Sequence, residues 1–266
     1  MIALSNINAG IVSYVFPQLD SDANAYITAV EAVDGQRLES QIRIGISNFV
    51  KGCKADGTWS LIDSCAFLSI ARTLNGSLIP LKGATPTNTT FVSSDYNRKN
   101  GLKGNGSTKY INTNQLSFSP STLNDFSMGV YVTQVTTPGQ RCFIGYGGTS
   151  NSIAQITPQL SYISSRCRNQ NISPNNGIIA APGFYGVSRG ASANYQYNYF
   201  GNVGTVTVAS LNVPVNENIN IFNRNIANPL FSSDTISFYW IGRNINLALL
   251  RTRVDALITQ IQGFLP

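Results

Sequence analysis

The sequence predicts a mainly β protein, an antiparallel sandwich or closed barrel with a small helical region before it and a helix after it. Three observations lead there. Short apolar segments recur every 10 to 15 residues from Phe126 to Gly242, separated by Gly, Pro and Asn turn formers. Apolar residues at helical spacing are confined to two places, residues 20–52 and 246–265. The 42% hydrophobic content supports a core, whereas charged residues are only 11%, against about 25% in an average soluble domain. With 29 Asn in 266 residues, the surface is solubilised by amides and hydroxyls. That length suits one large sandwich or two modest domains.

In chain order, residues 1–19 are apolar and uncharged until Asp20, with Ile11, Val12, Tyr14, Val15 and Phe16 ahead of Pro17. Too short to fold alone, they read as an arm that attaches to another subunit or as a strand completing the chain's own sheet. Residues 20–64 form a small helical region. Asp20-Ser21-Asp22 is an N-cap signal, and Tyr26, Ile27, Val30 and Val33 give one apolar face before Asp34-Gly35. A second helix starts near Leu38, buries Ile42, Ile46, Phe49 and Val50, and stops near Gly52. One more helical turn is expected at Trp59-Ser60-Leu61-Ile62, with Trp59 packed inward.

Residues 65–266 are assigned to the β domain. Cys65 to Ile70 reads as a buried strand, Asn75-Gly76 as a turn and Gly83 to Asn88 as loop. Tyr96 to Thr113, a basic, turn-rich stretch passing into Thr108-Lys109-Tyr110-Ile111, marks the start of the sheets. Strands are then expected at Phe126–Val132, Cys142–Tyr146, Ile153–Ile156, Leu160–Ile163, Gly183–Val187, Tyr195–Phe200, Val203–Leu211, Ile219–Asn223 and Ile236–Gly242. Turns fall at Pro138-Gly139, Gly147-Gly148, Asn175-Asn176-Gly177 and Pro182-Gly183. Asn246 caps a closing helix whose Leu250, Val254, Leu257, Ile258 and Ile261 share a face.

The net charge of +6 is uneven, with eight acids against six Lys/Arg in residues 1–95 and four against twelve thereafter. The twelve bases are scattered, without the runs or aromatic interleaving of a nucleic-acid face, so no nucleic acid is expected. No apolar run approaches a membrane span. Nothing at the N-terminus reads as a secretory signal, so the chain is expected to be made in the cytoplasm. Cys53, Cys65, Cys142 and Cys167 lack CxxC spacing and read as free buried thiols, a Cys53–Cys65 or Cys142–Cys167 bridge being the other reading.

Zero histidines exclude a Ser-His-Asp or Cys-His triad and a Cys/His zinc site. A glycosidase needs two carboxylates across a cleft. After Asp95 the acids are only Asp125, Glu217, Asp234 and Asp255, widely spaced. The reading is non-enzymatic, without cofactor or metal. The most suggestive cluster for binding is at 184–200. Tyr195, Tyr197 and Tyr199 alternate with Gln196 and Asn198, so the three rings share one strand face, and Arg189, Ser192 and Asn194 precede them. Arg189, Asn194, Tyr195, Tyr197 and Tyr199 suit stacking on sugar rings with hydrogen bonds to hydroxyls. The same tyrosines also suit a core edge or a subunit interface.

Two stretches carry a resemblance. One runs from Ala55-Asp56-Gly57-Thr58-Trp59 through Ala71-Arg72-Thr73-Leu74 and Thr85-Pro86-Thr87-Asn88 to Asp95-Tyr96-Asn97-Arg98-Lys99-Asn100-Gly101-Leu102 and Gly106-Ser107-Thr108-Lys109-Tyr110-Ile111. The other is Ser237-Phe238-Tyr239-Trp240-Ile241-Gly242-Arg243 with its terminal helix. Together they resemble a tailed-bacteriophage virion family built on a concanavalin A-like (laminin G/lectin-type) jelly roll. The likeness extends over about residues 18–115 and 236–265 and is loose between. It implies a concanavalin A-like antiparallel jelly-roll sandwich in a tail fibre, spike or capsid decoration. Other virion proteins would be its partners and a homo-oligomer (first a trimer) its assembly, as a structural component; the alternative is a receptor-recognition lectin module that binds host surface polysaccharide.

Overall fold

A computed structural model describes residues 18–265, apart from 119, 121, 137–138, 148–152, 171–172, 212–216 and 225–228. The attachment residues Ile11, Val12, Tyr14, Val15 and Phe16 lie outside the described residues.

Helix α1 spans Ser21–Asp34 and is capped as its sequence requires, the Asp20 carboxylate accepting from the backbone N–H of Asp22 and Ala23. Helix α2 spans Ser40–Ala55, three residues beyond the expected stop at Gly52. Cys53 continues the buried face of Ile42, Ile46, Phe49 and Val50, and the chain turns only at Gly57, φ 70°. The expected helical turn is a 3-10 turn at Trp59–Leu61. Strand β1 follows at Ile62–Phe67. Asn75-Gly76 lies not in an open turn but in a short helix, α3 (Leu74–Ser77), because the Thr73 hydroxyl caps it by accepting from the Gly76 N–H at 3.0 Å.

The remaining strands are β2 (Thr87–Thr89), β3 (Tyr96–Asn97), β4 (Gly101–Lys103), β5 (Tyr110–Leu116), β6 (Phe126–Gln134), β7 (Ile144–Tyr146) and β8 (Ile153–Pro158). Then come β9 (Tyr162–Asn169), β10 (Ser173–Asn176), β11 (Gly183–Arg189), β12 (Asn194–Tyr199), β13 (Asn202–Thr207), β14 (Asn218–Ile221) and β15 (Thr235–Gly242). Helix α4, Leu247–Phe264, closes the chain, with the Asn246 side chain accepting from the N–H of Ala248 and Leu249. Strand β10 occupies part of what the sequence marks as the Asn175-Asn176-Gly177 turn. Asn175 and Asn176 pair with Ile163 and Tyr162 of β9, and only Gly177 takes the left-handed backbone, φ 83°.

Among the described residues the strands form two antiparallel sheets. The eight-stranded sheet runs β13-β12-β11-β6-β15-β4-β3, with β1 beside β4 on the far edge of β15, and the seven-stranded sheet runs β10-β9-β8-β7-β14-β5-β2. The sheets face each other through Met128, Val130, Val132, Tyr185, Val187, Ile236, Tyr239 and Ile241 on one side and Ile111, Ile144, Ala154, Ile156, Ile163, Ile219 and Ile221 on the other. This is the jelly-roll sandwich the sequence predicts.

The eight-stranded sheet is buried on its second face as well. There Phe67, Phe184, Phe238 and Trp240 meet α1, α2 and α4 in a separate apolar cluster. This explains why the centres of β6, β11 and β15 read as apolar runs rather than alternating ones. Trp240 lies across the sheet, stacked on Phe184 with ring centroids 4.6 Å apart. Its register partner is Gly129, where a Cβ would fall 1.9 Å from the indole edge. The expected boundary at 64/65 falls inside β1, so the helices form a third layer on the sandwich. Arg253 of α4 fixes that layer from outside by a two-pronged pair to Asp56, at 2.8 and 2.9 Å. No helix of the described residues is long and apolar enough to cross a membrane.

Candidate functional site

Strand β12 brings most of the expected site residues together, but not on one surface. In an antiparallel sheet, residues paired across strands share a face and neighbours along a strand alternate. Tyr195 and Tyr199 belong to the core between the sheets, and Tyr197 packs against it. Tyr195 is 1% exposed and Tyr199 is fully buried. The Tyr195 hydroxyl reaches across the sandwich to Ser165 Oγ, 2.9 Å away, and Tyr197 stacks on Tyr199 at 4.8 Å. Burial pushes the Tyr199 phenol far above its ordinary pKa. The three rings do share a face, as expected, but Tyr195 and Tyr199 are interior and Tyr197 is half-buried.

Arg189 is corrected in the same way. It is fully buried and its guanidinium is spent on main-chain oxygens. Nη1 donates to Ala191, Ser192 and Asn194 at 3.0, 3.2 and 3.1 Å, Nη2 to Val208 at 3.2 Å, and Nε to Cys167. Burial lowers its pKa from the ordinary value. Arg189 therefore ties the β11–β12 loop to β9 and to the chain after β13. It positions Asn194 and contacts nothing outside.

The opposite face of β12 is the open one. It carries the exposed Gln196, the half-buried Asn194 and the buried Asn198, and register places the buried Ser188 of β11 and the exposed Thr205 of β13 on either side of Gln196. The β15–α4 connection adds Asn244 and Asn246. The Ser188 hydroxyl bonds Asn244 Oδ1 at 2.8 Å and accepts from the Ile245 N–H at 2.9 Å, which holds that connection against the sheet. Gly190 makes the approach possible, since a Cβ there would lie 2.4 Å from Asn244 Nδ2.

The result is a groove in two contiguous parts. The larger, about 400 Å³, lies among Ser188, Gly190, Asn194, Gln196, Asn244 and Asn246. The second, about 290 Å³, continues past Gln196 and Asn246 to Tyr197, Asn198, Val203, Thr205 and Leu247, so that of the three expected tyrosines Tyr197 borders the groove. Ile245 and Leu247, both buried, form an apolar floor, and Val203, 66% exposed, forms one rim.

An amide offers two N–H donors and a carbonyl acceptor. The carbonyls of Asn198, Asn244 and Asn246 and the Ser188 hydroxyl already have partners within the fold, which leaves the amide N–H groups of those asparagines, Gln196 and Thr205 to meet a ligand. No lining residue carries a carboxylate, amine, guanidinium or thiol, so the hydroxyls of Ser188, Thr205 and Tyr197 have no such group beside them in the lining to act as a general base. Elsewhere all four cysteines are buried free thiols, and burial pushes Cys53, Cys142 and Cys167 up to about 12, far from thiolate reactivity. Among the described residues no three His, Cys, Asp or Glu side chains cluster as metal ligands. Sequence reasoning reached Asn194 and Tyr197 but missed Ser188, Gln196, Thr205, Asn244 and Asn246. The signal available was the polar half of the β12 alternation and the Asn-Ile-Asn run before α4.

No protein-family model matches the chain and no curated protein matches it. Solved structures resemble its fold. Trypanosoma rangeli sialidase superposes with a TM-score of 0.50 and 13% identity, over 82% of this chain and 39% of the sialidase. The botulinum neurotoxin serotype D binding domain gives a TM-score of 0.48 at 9% identity, over 74% and 51%. Domain 4 of AbnA, a GH43 extracellular arabinanase from Geobacillus stearothermophilus solved with arabinotriose, gives 0.44 at 11%, over 73% and 98%. This chain thus spans about two-fifths of the sialidase. At these identities the likeness is of fold alone, an antiparallel β-sandwich.

Proposed function

We propose that the chain is a non-catalytic carbohydrate-binding module that holds a sugar in the groove along β12, and that it serves as the displayed sandwich of a tailed-phage appendage. The groove carries the first part. Its walls are five amides, two hydroxyls and Tyr197, its floor is apolar, and it carries no carboxylate, amine, guanidinium or thiol. A pyranose offers the complementary pattern, hydroxyls that donate and accept around an edge and an apolar C–H face. A neutral polar lining also avoids the desolvation cost of burying charge against a neutral ligand. The virion part rests on the sequence resemblance over residues 18–115 and 236–265. In that reading residues 1–19 attach to other virion proteins, the chain assembles as a homo-oligomer, and the target is a host surface polysaccharide.

A glycan array probed with the full chain tests the binding. At least one glycan class is expected to bind, and Gln196→Ala, at an exposed position between Ser188 and Thr205, weakens that binding about tenfold, the worth of one to two sugar hydrogen bonds. A silent array, or a hit that Gln196→Ala leaves unchanged, overturns the site. Release of new reducing ends from a bound glycan would overturn its non-catalytic character.

A further inference from the structure

The outer face of the seven-stranded sheet presents a different chemistry. None of the chain's twelve acidic residues lies in that sheet. On its face Arg166 of β9 sits in register beside Gln155 of β8, and Arg224, three residues after β14, donates from Nη1 to Gln155 Oε1. Two half-buried guanidinium groups thus flank one amide.

Among the described residues neither arginine has an acidic partner, and the Nε of each is buried with no hydrogen-bond acceptor. The acids of the second half of the chain are committed elsewhere. Asp234 pairs with Arg141 and Asp255 with Arg251, while Asp125 accepts from the Asn244 N–H and Glu217 from the Gly147 N–H. Partial burial, and after it the charge of Arg224, lower the pKa of Arg166. Two like charges held together with unmet donors cost stability unless a counter-charge joins them, and planar guanidinium forks match the oxygens of carboxylate, sulfate and phosphate.

We infer that Arg166, Arg224 and Gln155 form a binding site for an oxyanion, a carboxylate or sulfate group, on the sheet opposite the β12 groove. The site does not depend on the groove and can stand or fall without it.

The test is titration of the full chain with sodium sulfate, read by calorimetry and by melting temperature against sodium chloride at equal ionic strength. Sulfate is expected to bind the unsubstituted chain and raise its melting temperature beyond the chloride control. In Arg166→Gln and Arg224→Gln the affinity falls about tenfold or more, the loss expected when a charge-assisted hydrogen bond is removed. Lys103→Gln, which deletes an exposed charge elsewhere, keeps the full response. Arg166→Lys, which retains charge without the fork, keeps part of it.

Arg166→Gln removes no described hydrogen bond, so it decides the matter even if Arg224→Gln folds poorly. It is also expected to match or exceed the parent's melting temperature in low salt, because a repulsion is relieved. Equal sulfate responses in the parent and in Arg166→Gln overturn the site. A second arm compares an oligogalacturonate with a neutral galactose oligomer. Competition with sulfate by the acid oligomer alone identifies the anion as part of an acidic sugar, and sulfate binding without such competition identifies a free inorganic anion.

Discussion

Single residues decide which side of a strand is available. At β12 the alternation of tyrosine and amide is plain in the sequence, but a period of two is symmetric and leaves the outward face unnamed. Burial settles it, with Tyr195 at 1% and Tyr199 at 0% exposed facing the second sheet. Arg189 was legible as special and its role was not, because its partners are main-chain oxygens from three separate segments, which no spacing encodes. Arg189→Leu would leave those buried acceptors unsatisfied, and we expect a loss of roughly 3 kcal/mol in urea unfolding, since each orphaned buried group costs about 1–3 kcal/mol. A residual binding defect in Arg189→Leu, measured where it is fully folded, would follow from a loosened Asn194. At Gly129 the neighbour is the indole of Trp240, so Gly129→Ala forces that ring off Phe184. We expect at least about 2 kcal/mol of destabilisation, at the upper end of ordinary overpacking. A thermal midpoint unchanged from the parent would contradict this packing.

At the scale of elements, the helices and their caps were the most legible part of the chain. Asp20 and Asn246 cap α1 and α4 as their side-chain chemistry dictates, and the Leu/Ile face of α4 is buried against the back of the eight-stranded sheet. What the sequence could not reveal was the layering. A strand buried on both faces loses the alternation that would assign it to one sheet, and β10 was hidden in an Asn-rich stretch that resembles a turn. The helical layer is held to the strand edge partly by Glu39, which precedes α2. Hydrogen bonding from Arg98 holds the Glu39 carboxyl well below its ordinary range, at about 2. The folded state favours the ionised form, so this contribution is complete above pH 4.5 and fades as the pH falls toward 2. The Glu39 side chain is 38% exposed, so screening keeps the pair to about 0.5–1 kcal/mol. Glu39→Gln should lower the melting temperature slightly at pH 6 and converge with the parent near pH 2. A constant offset across that range would contradict the assignment.

For the whole molecule, charge and chemistry are divided between the two outer surfaces. The eight-stranded sheet carries a helical layer and, at its β12–β13 edge, a neutral amide groove. The seven-stranded sheet has no carboxylate and bears the half-buried Arg166, with the half-buried Arg224 just after β14 beside it. The excess of eight positive charges after residue 95 is therefore only partly a diffuse property of the surface. Part of it is buried as Arg168 and Arg189, and part is concentrated on one face. The composition that made the fold readable, many amides and few charges, is also what leaves the groove uncharged. The most direct test of the groove is an amide-resolved NMR titration of the full chain with a neutral oligosaccharide selected on the array. We expect the side-chain amide signals of Asn194, Gln196 and Asn246 to shift together and to saturate with one dissociation constant, while those of Gln155 on the other sheet stay in place. Shifts confined to the seven-stranded sheet, or scattered without saturation, would contradict binding in the β12 groove.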